Sequence, residues 1–442
     1  MKPTVSSLVC AGCGWVAPSP EEVRYPFRCA KAGRGDADHV LSRKLDPFRV
    51  EFVRGEDANP FVRHREMFHA WHAARRRGLT DDAYVDLARR LDDAIAAVDG
   101  RGFRATPFGR NDALSGRLGC DATGGVWVKD ETGGVSGSHK ARHLMAILLY
   151  LQVVERRERS PLAIASCGNA ALAAAVLARA AERPLRVFVP ADAEAAVLER
   201  LRALGCDVAL CPREPGVVGD PCMHRFRAAL AAGALPFCCQ GSENGLTIEG
   251  GESVAYEMMT QLGGGAGLDH VVIQVGGGAL ASSVIQAFRF AHRAGWFREL
   301  PRFHAVQTQG AWPLKRAWDR IQERLGTEGE VAVLERATKH RSDFMWPWEE
   351  TPRSVAHGIL DDETYDWLAV VKGLLASRGS AVVVDEELLR EANALALETT
   401  GIPACHTGSA GLAGLMRLRR EGVVKPGERA AVIFSGVRRQ EV

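Results

Sequence analysis

From Val126 onward, short apolar runs alternate with stretches in which apolar residues return every three or four positions. A run of about four to eight apolar residues reads as a buried strand, and the three-to-four spacing reads as an amphipathic helix. This gives strands at Val126–Val128, Leu162–Ala165, Leu185–Val189, Asp207–Cys211, His270–Val275, Arg302–Gln307 and Ala430–Phe434. Between them the pattern predicts helices at Ala141–Arg157, Ala170–Ala181, Ala193–Leu204, Pro221–Ala232, Gly250–Leu262 and Leu280–His292. Strands that alternate with helices need crossover connections, so the expectation is parallel sheet covered by helices. Ahead of this region, Phe61–Val98 carries two helical segments split by Gly78-Leu79-Thr80-Asp81, and the chain up to about Pro60 is loop-like and dotted with Cys, Gly and Pro. Periodicity fades between Gly326 and Leu360, then helices resume around Glu363 and Glu386. The run Gly263-Gly264-Gly265-Ala266-Gly267 reads as a flexible loop.

Composition narrows the partners. The 442 residues allow two or three domains. Lys plus Arg number 56 and Asp plus Glu 54, a net charge of +2 with no long run of either sign, so no nucleic-acid partner is expected. Apolar stretches are interrupted before the roughly 18 residues of a membrane span, so no membrane partner is expected either. The N-terminus has no sustained apolar segment of the secretory kind, and the expected location is the cytoplasm. Eleven cysteines, mostly scattered singly, read as reduced thiols rather than a disulfide scaffold.

Three strand-to-helix corners and one strand end carry candidate chemistry. Gly276-Gly277-Gly278-Ala279-Leu280 follows the apolar strand Val271–Val275 and opens a helix, where glycine lets backbone N–H groups close around a phosphate. The dinucleotide spacing G-x-G-x-x-G is absent, and a tight structural turn is the alternative. Ser138-His139-Lys140 puts a lysine at the start of a helix, where it can enter a cleft or remain a solvated surface charge. Ser166-Cys167-Gly168-Asn169-Ala170 is a small-residue corner with free N–H groups that can hold a carboxylate, or Asn169 can be a plain helix cap. Ile433-Phe434-Ser435-Gly436 ends the last strand with a hydroxyl.

In that chain order the pieces resemble the fold-type II family of pyridoxal-phosphate enzymes, over roughly Thr106 to Gly436. Within it the resemblance is nearest to threonine synthases, through Trp127-Val128-Lys129-Asp130-Glu131, Ile248-Glu249-Gly250, Ala305-Val306-Gln307, Pro313-Leu314, Ala356-His357-Gly358-Ile359 and Gly408-Ser409-Ala410-Gly411-Leu412-Ala413-Gly414-Leu415. The resemblance implies that Lys140 joins the cofactor pyridoxal 5'-phosphate (PLP) and moves protons at the substrate. It assigns the cofactor phosphate to Gly276, Gly277, Gly278, Ala279 and Leu280, helped by His139, and the ring hydroxyl to Asn169. Ser166, Cys167, Gly168, Asn169 and Ala170 would grip the substrate carboxylate, and Ser435 would face the ring nitrogen. A serine there cannot keep that nitrogen protonated as a carboxylate would, which favours expulsion of a leaving group over transamination. Threonine synthases usually carry Phe-Lys-Asp-Arg where this chain has His139-Lys140-Ala141-Arg142, and Cys167 and Ala170 stand where Ser and Thr are usual. β-Replacement or ammonia-lyase chemistry therefore stands beside threonine synthesis.

The tail resembles the zinc-ribbon-like start of many threonine synthases, with Cys10-x2-Cys13 followed by Cys29. Its second pair is incomplete because position 32 is Ala, so zinc would need His39 or another distant ligand, and a metal-free remnant is the expectation. The expected fold is α/β: two parallel-sheet domains with the cofactor in the cleft between them, plus a small Cys-bearing N-terminal segment. Residues 1–60 form that segment, 61–133 the helical lead-in and start of the large domain, 134–236 the small domain and 237–442 the rest of the large one. The expected partners are a small amino-acid substrate and a second copy of the chain in a homodimer.

Overall fold

The computed structural model describes residues 5–155, 159–191, 193–213, 217, 219–263 and 267–439. Twelve strands occur among them: β1 (Ser6–Cys10), β2 (Leu41–Leu45), β3 (Phe108–Arg110), β4 (Gly125–Asp130), β5 (Leu162–Ala165), β6 (Leu185–Pro190), β7 (Asp207–Cys211), β8 (Leu235–Pro236), β9 (His270–Gln274), β10 (Arg302–Thr308), β11 (Ser380–Val384) and β12 (Arg429–Phe434). They form a six-stranded sheet in the order β11-β10-β9-β12-β4-β3, a four-stranded sheet β7-β6-β5-β8, and the pair β1-β2. The four-stranded sheet is parallel throughout, and the six-stranded sheet is parallel except for β3, which runs antiparallel to β4.

Side-chain alternation sets the two faces of the large sheet. Val271, Ile273, Ala431 and Ile433 pack with residues of the helices Leu246–Leu262, Ala279–Arg293 and Trp367–Ala376, while Val272, Val306 and Val432 pack with residues of Glu386–Thr400 and His406–Arg420. Each such Val or Ile contributes about 1.5–3 kcal/mol by leaving water. The helix His406–Arg420 reaches the sheet closely through small residues: a Cβ on Gly411 would lie 2.9 Å from the Val272 carbonyl oxygen, and one on Gly414 2.2 Å from Val306 Cγ2. That fit explains the glycine spacing of the Gly408–Leu415 segment. The small sheet buries all of β5, with helices Asn169–Ala180 and Pro221–Ala231 against it.

Several expectations change. The first sixty residues are not all loop, since β1 and β2 pair antiparallel from Ser6 opposite Leu45 to Cys10 opposite Leu41. Ser6, Leu8 and Cys10 point inward, a period-two pattern that the polar Ser6 disguises. The fading periodicity after Gly326 conceals the helix Glu330–Lys339, anchored by only Val333 and Ala337, and the helix Pro313–Glu328 ahead of it is not among those expected. The helix expected to run to Arg157 ends at Val154, and Arg156 and Arg157 lie outside the described residues. So do Gly264, Gly265 and Ala266 of the glycine-rich loop.

Candidate active site

The carboxyl ends of β4, β5, β9 and β12 bring the four segments to the crevice where open α/β sheets bind ligands. Lys140 is the first residue of its helix and is half-buried. Its segment is zipped to the end of β12, because Ser138 bridges Gly436 and the His139 N–H donates to the Ser435 carbonyl at 3.1 Å. His139 Nδ1 also lies 2.9 Å from that carbonyl oxygen, which can only accept, so Nδ1 carries the proton. Burial, with Lys140 and His143 beside it, pushes His139 well below the usual histidine range. The neutral ring then presents Nε2 as an acceptor, and neutralising a phosphate would require it to gain a proton.

Beneath Lys140 lies a closed ionic network. Arg142, two residues on, donates from Nε to Glu131 at 2.7 Å and from Nη1 to Glu257 at 2.6 Å, and Lys129 Nζ reaches Glu257 at 2.6 Å. All four side chains are buried. Burial alone would raise Glu257, but Arg142 and Lys129 hold it down at about 2.

Gly276, Gly277 and Gly278 face a segment that sequence reasoning did not single out. Thr364 Oγ1 donates to the Gly276 carbonyl at 2.9 Å, and the Asp366 N–H donates to the Gly277 carbonyl at 3.1 Å. The Asp361 carboxylate accepts from the Gly277 N–H, so an anion already meets the loop. Gly278 sits at φ +94 and opens the helix Ala279–Arg293, a conformation only glycine adopts without strain. Burial raises Asp361 to about 6 and Asp366 to about 7, with Lys140 acting against both shifts. The acidic stretch Asp361-Asp362-Glu363 is half-buried, and nothing in its sequence separates Asp361 from a solvated acid.

Ser435 Oγ lies 2.6 Å from Gln274 Nε2, which is also 3.0 Å from the carbonyl oxygens of Gly408 and Ile433. Two carbonyls fix the amide with its nitrogen toward them. The Ser435 oxygen therefore accepts, and its own proton is free to point elsewhere. Asn169 is the first residue of its helix, and its Oδ1 accepts from Arg439 Nη2 at 2.9 Å. A Cβ on Gly436 would come within 2.7 Å of Asn169 Nδ2, so the end of β12 and the Asn loop are in direct contact. In that loop Ser166 N–H donates to Phe188 in β6, Gly168 N–H to Ser166 Oγ, and Cys167 is exposed while Ala170 is buried. Cys10, Cys13 and Cys29 belong to the N-terminal hairpin region and not to this crevice.

The residues present fit a phosphate-bearing aromatic cofactor. Ser138 Oγ, His139 Nε2 and Asp366 Oδ1 are buried without a hydrogen-bond partner among the described residues, and a Cβ at Gly276, Gly277 or Gly278 would press on Asp361, Tyr365 or Thr364, so the turn needs glycine at each place. Fold and crevice together define the fold-type II class of PLP enzymes. The chain belongs to the pyridoxal-phosphate dependent enzyme family, whose sequence profile matches residues 101–436. It is 27% identical over 348 residues to threonine synthase 2, chloroplastic, of Arabidopsis thaliana, a match covering 77% of this chain and 60% of that protein. Threonine synthase of Methanosarcina acetivorans is 26% identical over 349 residues, covering 75% of this chain and 74% of that one. Maize serine racemase shares the fold with a TM-score of 0.59 at 17% identity, over 80% of this chain and 94% of that chain. No helix among the described residues is long and apolar enough to cross a membrane.

Proposed function

We propose that the enzyme performs elimination or replacement on a small amino acid, of the threonine synthase type that converts phosphohomoserine and water to threonine and phosphate. The observation that carries this reading is the Gln274–Ser435 pair. With its oxygen accepting from Gln274, Ser435 has its own proton free to donate to a ring nitrogen, and a nitrogen that accepts a hydrogen bond from a neutral hydroxyl stays uncharged. PLP, when bound, withdraws electrons from the substrate α-carbon, and does so less strongly with an uncharged ring, which favours loss of a leaving group. Lys140 would take and return the α-proton. Backbone N–H groups of Ser166 to Ala170 would hold the α-carboxylate, Asn169 the ring hydroxyl, and Gly276 to Leu280 the phosphate.

A second reading is β-replacement of the cysteine or cysteate synthase kind, or a serine/threonine dehydratase-type ammonia-lyase. It is favoured by Cys167 and Ala170, which remove two hydroxyls from the loop expected to meet the substrate. The purified enzyme should be offered phosphohomoserine, phosphoserine, O-acetylserine, serine and threonine. Threonine formed in step with phosphate supports the first reading. Ammonia and a 2-oxo acid from serine or threonine, with phosphohomoserine untouched, replaces it by the lyase.

With this reading go a homodimer, a cytoplasmic location and a small domain of residues 134–236 closing on the remainder. Light scattering of the purified chain tests the dimer.

A further inference from the structure

We propose that Cys10, Cys13, Cys29 and His39 bind one zinc ion in a closed tetrahedral site that anchors the N-terminal hairpin. One ligand atom from each of the four lies within 4.8 Å of the others. Cys13 Sγ and Cys29 Sγ are 3.7 Å apart, and Cys10 Sγ is 3.4 Å from His39 Nδ1. A tetrahedron with Zn–S near 2.3 Å and Zn–N near 2.0–2.1 Å has S···S edges of about 3.8 Å and S···N edges of about 3.5 Å. The sulfur separation is far beyond the roughly 2.05 Å of a disulfide, and all three cysteines are free thiols.

Chain geometry brings the set together from three places. Cys10 ends β1, Cys13 lies in the turn closed by the Gly14 N–H on the Cys10 carbonyl, and His39 stands just before β2. Cys29 comes from the intervening loop, and the Lys31 N–H points at its sulfur at 3.4 Å. His39 thus supplies the ligand that the missing second cysteine of a pair would have given. Four protein ligands leave no open position, which marks a structural rather than a catalytic ion, and three sulfurs with one imidazole select zinc over calcium or magnesium.

The ion would brace a contact with the large domain. The carbonyl of Asp38, beside His39, lies 2.3 Å from where a Cβ on Gly12 would sit, so the two ligand-bearing turns touch. Asp38 in turn donates its N–H to Thr338 and accepts from Trp367 Nε1 at 3.3 Å, with Arg341 Nε 3.5 Å away. Few apolar side chains pack here: Cys10, Cys29 and Leu41 are the buried members of their own small cluster. A metal supplies the crosslink that so small a core lacks.

The test is elemental analysis of the full-length holoenzyme purified without chelator, together with the spectrum of the chain refilled with cobalt(II). About one zinc per chain and the intense visible bands of tetrahedral thiolate-bound cobalt are expected. His39→Cys should keep the zinc, while His39→Ala and Cys29→Ser should lose most of it. Chelation should lower the melting temperature by several degrees. Wild-type protein with no stoichiometric zinc, with iron in its place, or with weak six-coordinate cobalt bands overturns the site, and these readings do not depend on any variant folding. An unchanged melting temperature after complete zinc removal overturns the anchoring role. None of these measurements depends on which reaction the enzyme catalyses.

Discussion

Two groups of carboxylates, buried except for the half-buried Asp361, flank Lys140, and they differ in what faces them. Glu131 and Glu257 meet Arg142 and Lys129, so two negative charges face two positive ones at hydrogen-bond distance, and Glu257 is held down at about 2. Asp361 and Asp366 meet mainly backbone N–H groups of Gly277 and Gly241, and burial lifts them to about 6 and about 7. Desolvation acts on both groups; compensation by facing cations does not. The balanced group is a fixed base under the start of the lysine helix. The uncompensated group is a region whose protonation is decided by whatever enters the crevice, since a phosphate brought to Gly277 adds like charge beside Asp361.

Substitutions in each group separate the two behaviours. Lys140→Ala removes a cation that faces the second group and should cost roughly 10³-fold or more in turnover. The borohydride-reducible link to PLP should vanish while circular dichroism stays unchanged. A retained link would sink the assignment of this lysine. Glu257→Gln leaves Arg142 and Lys129 short of a partner and should lower unfolding free energy by about 3–5 kcal/mol in urea titrations. A loss below about 1 kcal/mol would mean that the network is not a fixed base.

The second group predicts a pH slope of defined sign. Folded pKa values above the ordinary 3.8 mean that the folded chain binds more protons, so its stability falls as pH rises from about 4 to about 7. Asp361→Asn combined with Asp366→Asn should remove about 1–3 kcal/mol of that decline, measured on cofactor-free protein. Equal slopes in variant and wild type would refute it. Gly277→Val would press a side chain toward Tyr365, whose Cδ2 lies 3.0 Å from the Cβ position, and should weaken PLP binding about tenfold, near 1.4 kcal/mol. The smallest effect is on partitioning. Ser435→Asp should raise side reactions such as racemisation relative to elimination, whereas Ser435→Ala should not, as chromatographic product ratios would show.

Much of the fold was legible because its strands are uninterrupted apolar runs: β5 and β7 were read to the residue, and β9 to within one. Elements with few apolar anchors were not, as the hairpin of β1 and β2 and the helix Glu330–Lys339 illustrate. At the site, the corners around Lys140, Asn169 and Gly277 were visible since glycine and small residues between strand and helix have a local cause, whereas Ser435 at the end of the last strand stood out only through the family resemblance. Gln274, Asp361, Thr364 and Asp366 were hidden because nothing local separates a buried acid or amide from a solvated one. His39 stayed one conditional choice for the same reason, for it lies ten residues beyond Cys29 with no fixed spacing to announce it.

The position of β12 bears on how the molecule is made. It follows every other strand in chain order, yet it sits between β9 and β4 in the middle of the large sheet and supplies Ser435 and Gly436 to the crevice. During synthesis β4 therefore waits for about 300 further residues, roughly 15–60 s at ribosomal speed, with an open edge where β12 will dock. Such an edge is a template for pairing with other nascent chains. Expression at high rates should accordingly favour inclusion bodies, and slower translation or chaperone supply should recover active enzyme.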